Sequence, residues 1–344
     1  MATTGLVQNL RILVGKLEGT PGTMENLGPG DFDARVRDPV VTLNVELDDE
    51  NSRYAAGIHG EDHSIQGVRT AQVTFTVRCV TGPTVSTEAK WVKFLKGCGM
   101  AKVAYTSTGI GYQPLKSADG TSMTLWIFDI QQGATPAALC YKIRGAMGNC
   151  VIGADGVGKP WLAQYTFSGA VQSVEDVANA SILVPALTDT LCADKMLSNI
   201  AYVGATAEKI SSFSLDFGHE VTPLYDQSTA AGVERYTITA RRPRLSMNPL
   251  AQLVAQRDVW TDMTSGLTGC PPTHAIGIGD TGIAQKFFVL APKAQLLTSA
   301  LANREGLVNW DQNWKLMNNG ETGAVADDDL AAETTFEILQ GTRA

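Results

Sequence analysis

His59 and His63 stand four positions apart in the stretch HGEDH, with Glu61 and Asp62 between them. On a helix that spacing puts two imidazoles on one face, as in H-E-x-x-H zinc hydrolases. Gly60 stands where the glutamate of that motif belongs, and Gly57, Gly60 and Gly67 oppose a helix. The stretch therefore reads as a solvated loop, and His219 and His274 are the only other imidazoles to complete a ligand set. GIGDTG (277–282) matches G-x-G-x-x-G, but the apolar run IAQKFFVL after it reads as a strand. A dinucleotide site needs a helix there, so this is a hairpin turn. GADGVGK (153–159) is also a hairpin, because no Ser or Thr follows the lysine. ELDDE (46–50) and ADDD (326–329) are solvated charge runs; RRPR (241–244) has the charge to touch phosphate but better suits salt bridges to an acidic neighbour. No G-x-S-x-G occurs, and nothing assembles a nucleophile, a base and an oxyanion site. The expectation is a protein without enzymatic activity or cofactor.

The elements that would position these residues are mostly strands. The chain has 344 residues, 44% hydrophobic and 18% charged, with 34 glycines. That length exceeds one ordinary core and leads us to expect two domains. A net charge of −8 argues against tight binding to DNA phosphates. The first residues show no signal peptide, and no stretch approaches a membrane span. Cys79, Cys98, Cys140, Cys150, Cys192 and Cys270 form no C-x-x-C and suit buried thiols in a reducing compartment.

Residues 1–40 carry turn chemistry (EGTPGT, NLGPGD) and read as an arm without a core element. VVTLNVELDD (40–49) alternates, with Val41, Leu43, Val45 and Leu47 on the face expected to be half-buried. A polar loop over 50–70 follows, then the strand AQVTFTVRCV (71–80) and a helix over 86–99 capped by Ser86. Short strands are expected near 102–107, 121–131, 138–145, 149–153 and 162–172. A boundary in 173–195 then divides the chain. The second half repeats the order: a strand at 210–218, a polar loop at 219–232, a strand at 234–242 and a helix at 248–260 opened by Pro249. Strands near 274–279, 284–291, 294–299, 311–318 and 334–339 complete it. The expected domains are an arm at 1–40 and two β domains at 41–180 and 181–344.

KLEGTPGT, AQVTFTVRCV, EAKWVKFLKGCGM and LCYKIRGAMGNCVIGADGVGKPWLAQYTFSGAV in the first half carry a likeness of pattern and order. ISSFSLDFG, RYTITARRPRL and FFVLAPKAQLL extend it through the second. Over nearly its whole length the chain resembles the tail tube (major tail) proteins of long-tailed bacteriophages. The resemblance implies a mainly β fold of two tandem β-sandwich or barrel domains, each with a flanking α-helix. It also implies a virion protein, assembled in the host bacterial cytoplasm, whose stacked rings conduct DNA on ejection. A duplicated chain would form homotrimeric pseudo-hexameric rings; the alternative is a homohexamer. Its partners would be itself and other tail proteins at the tube ends, with DNA passing through without specific binding and no membrane span. If six four-stranded sheets close a ring, 24 strands at roughly 4.8 Å give a backbone diameter of about 37 Å. Candidates for the inner wall are Glu46, Asp48, Thr74, Thr76, Asp216, Thr237 and Thr239. Candidates for contacts between subunits or rings are Tyr54, Ile58, His59, His63, Ile65, Arg241 and Arg242. The competing readings are a two-domain binding module, with Trp310 and Trp314 as its nearest exposed aromatic pair, and a metal-dependent hydrolase using His59 and His63.

Overall fold

The computed structural model describes residues 11–31, 34–48, 64–84, 87–105, 109–115, 120–131, 137–178, 200–264, 271–279, 286–318 and 335–341. The chain is mainly β, with antiparallel pairing throughout. The first half contains β1 (Ile12–Leu17), β2 (Val36–Asp48), β3 (Ile65–Arg78), α1 (Val92–Gly97), β4 (Met100–Tyr105) and β5 (Gly109–Pro114). It ends with β6 (Met123–Ile130), β7 (Ala137–Ala154) and β8 (Leu162–Ala178). The second half contains β9 (Ile200–Val203), β10 (Thr206–Glu208), β11 (Ile210–Asp216), β12 (His219–Tyr225), β13 (Val233–Arg241) and β14 (Arg244–Pro249). It continues with α2 (Val259–Thr264), β15 (Thr273–Gly279), β16 (Phe287–Arg304), β17 (Leu307–Leu316) and β18 (Glu337–Gly341).

One pairing scheme occurs twice. In the first half β1 pairs β6, β6 pairs β7, β7 pairs β8, β8 pairs β3, and β3 pairs β2. In the second, β9 pairs β15, β15 pairs β16, β16 pairs β17, β17 pairs β14, and β14 pairs β11. In both, a short helix follows the third of these strands in the chain, α1 after β3 and α2 after β14. β7 and β11 then join the two units edge to edge. The result is a run of eight antiparallel strands, β2-β3-β8-β7-β11-β14-β17-β16. The expected boundary at 180/181 lies outside the described residues.

Alternation along each strand gives this sheet one apolar face. A single lateral row, Val36–Val77–Ala163–Ile152–Leu215–Leu245–Trp314–Leu296, crosses all eight strands. Every member from Val77 to Leu296 is buried. Over it pack α1, through Val92, Phe94 and Leu95, and an aromatic cluster in which Phe75 lies 4.8 Å from Phe94 and 5.1 Å from Tyr165. One core of buried residues thus runs from Leu13 to Ile338. Cys79, Cys98 and Cys150 are buried free thiols within it, and Cys140 is one in a smaller cluster with Val14, Phe128 and Ala138, as expected; Cys192 and Cys270 lie outside the described residues.

Several expectations need correction. Residues 1–40 do contribute a core element: β1 buries Leu13 and Val14 against β6. The loop at 50–70 ends earlier, because β3 begins at Ile65. Of the four β2 residues expected on the half-buried face, only Val41 is half-buried; Leu43, Val45 and Leu47 are exposed, since the β2–β3 hairpin runs past the edge of the core. The first helix is shorter than 86–99 and Trp91 is its N-cap, with no side-chain capping bond; Ser86 lies outside the described residues. No helix starts at Pro249. That proline ends β14, and Asn248 accepts the Ser211 and Ser212 amides through Oδ1, holding the segment extended. The helix starts later, where Asp258 takes the Thr261 amide at 3.0 Å and the Thr261 hydroxyl at 2.6 Å. Residues 219–225, expected as loop, form β12, which pairs with β13 in a separate two-stranded sheet. The partner of AQVTFTVRCV in the repeat is therefore β14, not RYTITARR. The segments 138–145 and 149–153 are one strand, as are 284–291 and 294–299. Gly145 takes φ 58° at the break in the first, and Pro292 sits at a register shift in the second. Trp314 is fully buried and Trp310 packs against the core, so they form no exposed pair. GIGDTG and GADGVGK both fall where antiparallel strands are joined, β15 to β16 and β7 to β8.

Candidate functional site: a polar sheet face between two open edges

The face opposite the apolar row is polar. Its central row reads Arg37–Thr76–Gln164–Val151–Asp216–Arg244–Lys315–Gln295. A flanking row reads Val40–Thr74–Thr166–Asn149, and another Arg78–Leu162–Gly153–Ser214–Ser246–Asn313–Thr298. An open depression of about 560 Å³ lies on this face, lined by Ser212, Ser214, Ser246, Asn248, Thr298 and Asn313 among others.

Both ends of the eight-strand run are open among the described residues. β2 pairs only with β3. β16 pairs with β18 and β15 up to Gln295, and beyond it only with β17. Both ends are also apolar and exposed: Val40, Leu43, Val45 and Leu47 on β2, and Leu297 and Leu301 on β16. Unpaired backbone beside exposed leucine and valine is a template for adding another strand.

Of the candidate wall residues, Thr74, Thr76 and Asp216 share the polar face. Asp216 accepts from Asn149 Nδ2 at 2.8 Å and from the Gly218 amide at 2.9 Å, which fixes the corner where the chain leaves β11 for β12. Glu46 is exposed on the protruding hairpin, and Asp48 ends β2. Thr237 and Thr239 lie on β13, in the two-stranded sheet that packs over Met147 and Ala170 at one end of this face; Thr239 and Thr222 share a hydrogen bond of 3.1 Å across the hairpin. Of the candidate contacts, Ile65 is exposed at the start of β3. Arg241 donates to the Leu115 carbonyl, and Arg242 is exposed beside Glu220 at 3.5 Å. Tyr54, Ile58, His59 and His63 lie outside the described residues. Among the described residues no group of three His, Cys, Asp or Glu side chains is placed to hold a metal.

Two buried polar sites were not anticipated. Glu18, only 2% exposed, accepts from the Gly22 and Gly145 amides at 2.7 Å each, from the Thr124 hydroxyl at 2.9 Å and from the Ser122 hydroxyl. Gly22 and Gly145 both have positive φ, and an added Cβ on Gly145 would meet the Arg235 Cα at 2.8 Å. Arg144 bonds the Gly22 and Glu234 carbonyls. This node thereby presses the β12–β13 hairpin onto the first unit, over Met147 and Ala170. The only advance sign was a carboxylate opening EGTPGT, between a strand and a glycine turn.

The second site ties α2 to the second unit. Arg257 contacts Asp262 at 2.7 Å and Glu208 at 3.4 Å, and His274 Nε2 lies 2.7 Å from Asp262. Burial holds the Glu208 carboxyl above its usual range, against the pull of Arg257. An imidazole paired with a carboxylate is the base half of a hydrolytic triad. His274, however, has no hydroxyl or thiol partner among the described residues, and the network acts as a clamp.

His219 is buried under the hairpin, with Nδ1 3.3 Å from the Gly148 carbonyl and Nε2 unpaired. Burial, reinforced by Arg241, lowers its pKa to about 4. The unfolded imidazole, near 6.5, therefore binds the proton more readily than the folded one. Stability from this group is complete above the unfolded value and falls as pH drops from about 6.5 toward 4, by about 3 kcal/mol in total. We expect urea midpoints of the wild type to fall across that window and those of His219→Phe to stay flatter. Parallel profiles would show that His219 does not set the slope.

No family model matches the chain, and no curated protein matches it. The repeated pairing scheme rests on the chain's own hydrogen bonding. Among the described residues no helix is long and apolar enough to cross a membrane.

Proposed function

We propose that this chain is a structural subunit that closes into a ring of three and stacks into a hollow tube, as the resemblance to phage tail tube proteins implies. In that role it is a virion protein of the tail, assembled in the host bacterial cytoplasm, and a passive conduit for DNA. The observation that carries the reading is the eight-strand sheet, made of two like units, with a polar face and two open edges. Three copies supply 24 strands, for a backbone diameter of about 37 Å before strand tilt widens it. The β7–β11 junction inside the chain is a pattern for the junction between chains. There β7, in the last hairpin of one unit, offers its edge to β11 of the next, with Leu215 opposite Ile152. The equivalent edges left over are β16 beyond Gln295 and β2. Joining them repeats the internal contact and removes both exposed edges. The apolar face stays inside the wall, and the Thr, Ser, Asn and Gln side chains line water.

Negative-stain electron microscopy of concentrated protein tests this. Hollow rings with three-fold symmetry are expected. Six-fold rings would retain the tube and reject the ring of three. Monomers at every concentration would overturn the proposal and favour a binding module.

A further inference from the structure

Across the three rows of the polar face, the charged side chains are Arg37, Arg78, Arg244 and Lys315 against the single carboxylate Asp216. The whole chain carries −8, so the cations are concentrated here against the overall balance. No side-chain hydrogen bond or ion pair joins any of the four to another described residue. Asp216 faces Arg244 across β11 and β14, yet its Oδ1 is occupied by Asn149 and Gly218. Asp311 lies one row further out and lines the depression together with the exposed Asp155, and Glu46 lies on the protruding hairpin.

We propose that this face makes weak, salt-sensitive contacts with the phosphate backbone of duplex nucleic acid through Arg37, Arg78, Arg244 and Lys315. Arg244 and Lys315 are direct cross-strand neighbours, close enough to bracket one phosphate. Ser214, Ser246, Asn313, Thr76 and Gln164 surround them with neutral hydrogen-bonding groups of the kind that contact phosphate oxygens. The three rows carry no aromatic side chain on which unpaired bases would stack, which disfavours single strands. Among the described residues no helix lies on this face to read base edges, so the contact is independent of sequence. The sparse charge keeps it weak: four phosphate contacts give a log–log salt slope of about −3.6. In the tube reading, which this inference deepens, such a wall holds a moving duplex off one fixed position without repelling it.

The test is fluorescence anisotropy of the full-length protein with a labelled duplex of about 20 base pairs, between roughly 50 and 200 mM salt. Affinity is expected to fall about 100-fold over that range. R244E/K315E should cut affinity at the lower salt at least tenfold and reduce the slope by about 2. K90E, at an exposed lysine on the helix side, should change neither. Absence of binding at low salt, or equal loss in K90E, would overturn the proposal. Displacement of the duplex by polyglutamate at equal charge would reassign the face to an acidic protein partner. Micrographs of the same samples separate the two readings. Rings that do not bind duplex reject this contact alone, whereas duplex binding without rings rejects the tube and leaves the contact standing.

Discussion

Glu18→Ala is expected to lower the unfolding free energy by about 3–5 kcal/mol, the largest effect of any single substitution considered for this chain. The carboxylate is buried and accepts from two amides and two hydroxyls, on Gly22, Gly145, Ser122 and Thr124. Alanine leaves these donors facing a void that the surrounding turn cannot refill. The two amides belong to glycines held at φ 81° and 58°, so the backbone cannot rotate to find other partners without giving up both turns. Glu18→Gln should cost less, about 2 kcal/mol, because one oxygen survives while the new amide donor meets donors. Urea titration measures both. Hydrogen exchange should also quicken at Glu234 and Arg235, since Gly22 and Gly145 lie directly against that stretch of β13. A cost below about 1 kcal/mol for alanine would mean that solvent reaches the node and that its bonds are replaceable.

Leu43→Lys with Val45→Lys should abolish rings while leaving the fold intact. Both residues are already exposed, at 40% and 46%, so their replacement removes little core contact. Placed on an open edge strand, two ammonium groups must be desolvated if another chain pairs there, and native edges use lysine for this purpose. We expect the apparent association constant to fall about 100-fold or more, roughly 3 kcal/mol, with the urea midpoint unchanged. Light scattering across a concentration series, with micrographs alongside, reads the first quantity. Rings that persist in the double variant would exclude the β2 edge from the junction.

How much of this was visible in the residues depends on the range of the interaction. Alternation in AQVTFTVRCV and ISSFSLDFG marked β3 and β11 correctly, because the alternation arises within the strand itself. HEVTPLY was missed as a strand because Pro223 and its polar neighbours obscure the alternation; its pairing with β13 decides the matter. The apparent helix at 248–260 failed for a similar reason. Pro249 fits a first helical turn in isolation, but the Asn248 side chain is already bonded across to Ser211 and Ser212. On β2, Leu43, Val45 and Leu47 have the pattern of a buried face, and nothing local reveals that the core ends at Val41. The order strand, loop, strand, helix, several strands was read twice from the sequence, but in the second half its helix was placed too early. The strand before that helix was also misassigned, because the β12–β13 hairpin is inserted ahead of β14. On the polar face the threonines were recognised from alternation. Arg244 was noted within RRPR, but its place beside Lys315 and in one row with Arg37 was not, because these residues meet only through lateral pairing between distant segments.

The place of β18 has a consequence for how the protein is made. It lies between β5 of the first unit and β16 of the second, and Gln113 and Glu337, 224 positions apart, are hydrogen-bonded across it. A ribosome adding about 5–20 residues per second needs roughly 10–50 s after β5 emerges before β18 follows. Throughout that interval the nascent first unit lacks a strand it requires, even where all its own strands are paired. Neighbouring ribosomes on one message would hold many such half-finished chains close together. Until β18 arrives the edge of β5 is unpaired, so this interval is the one in which neighbouring nascent chains are most open to pairing by their edges.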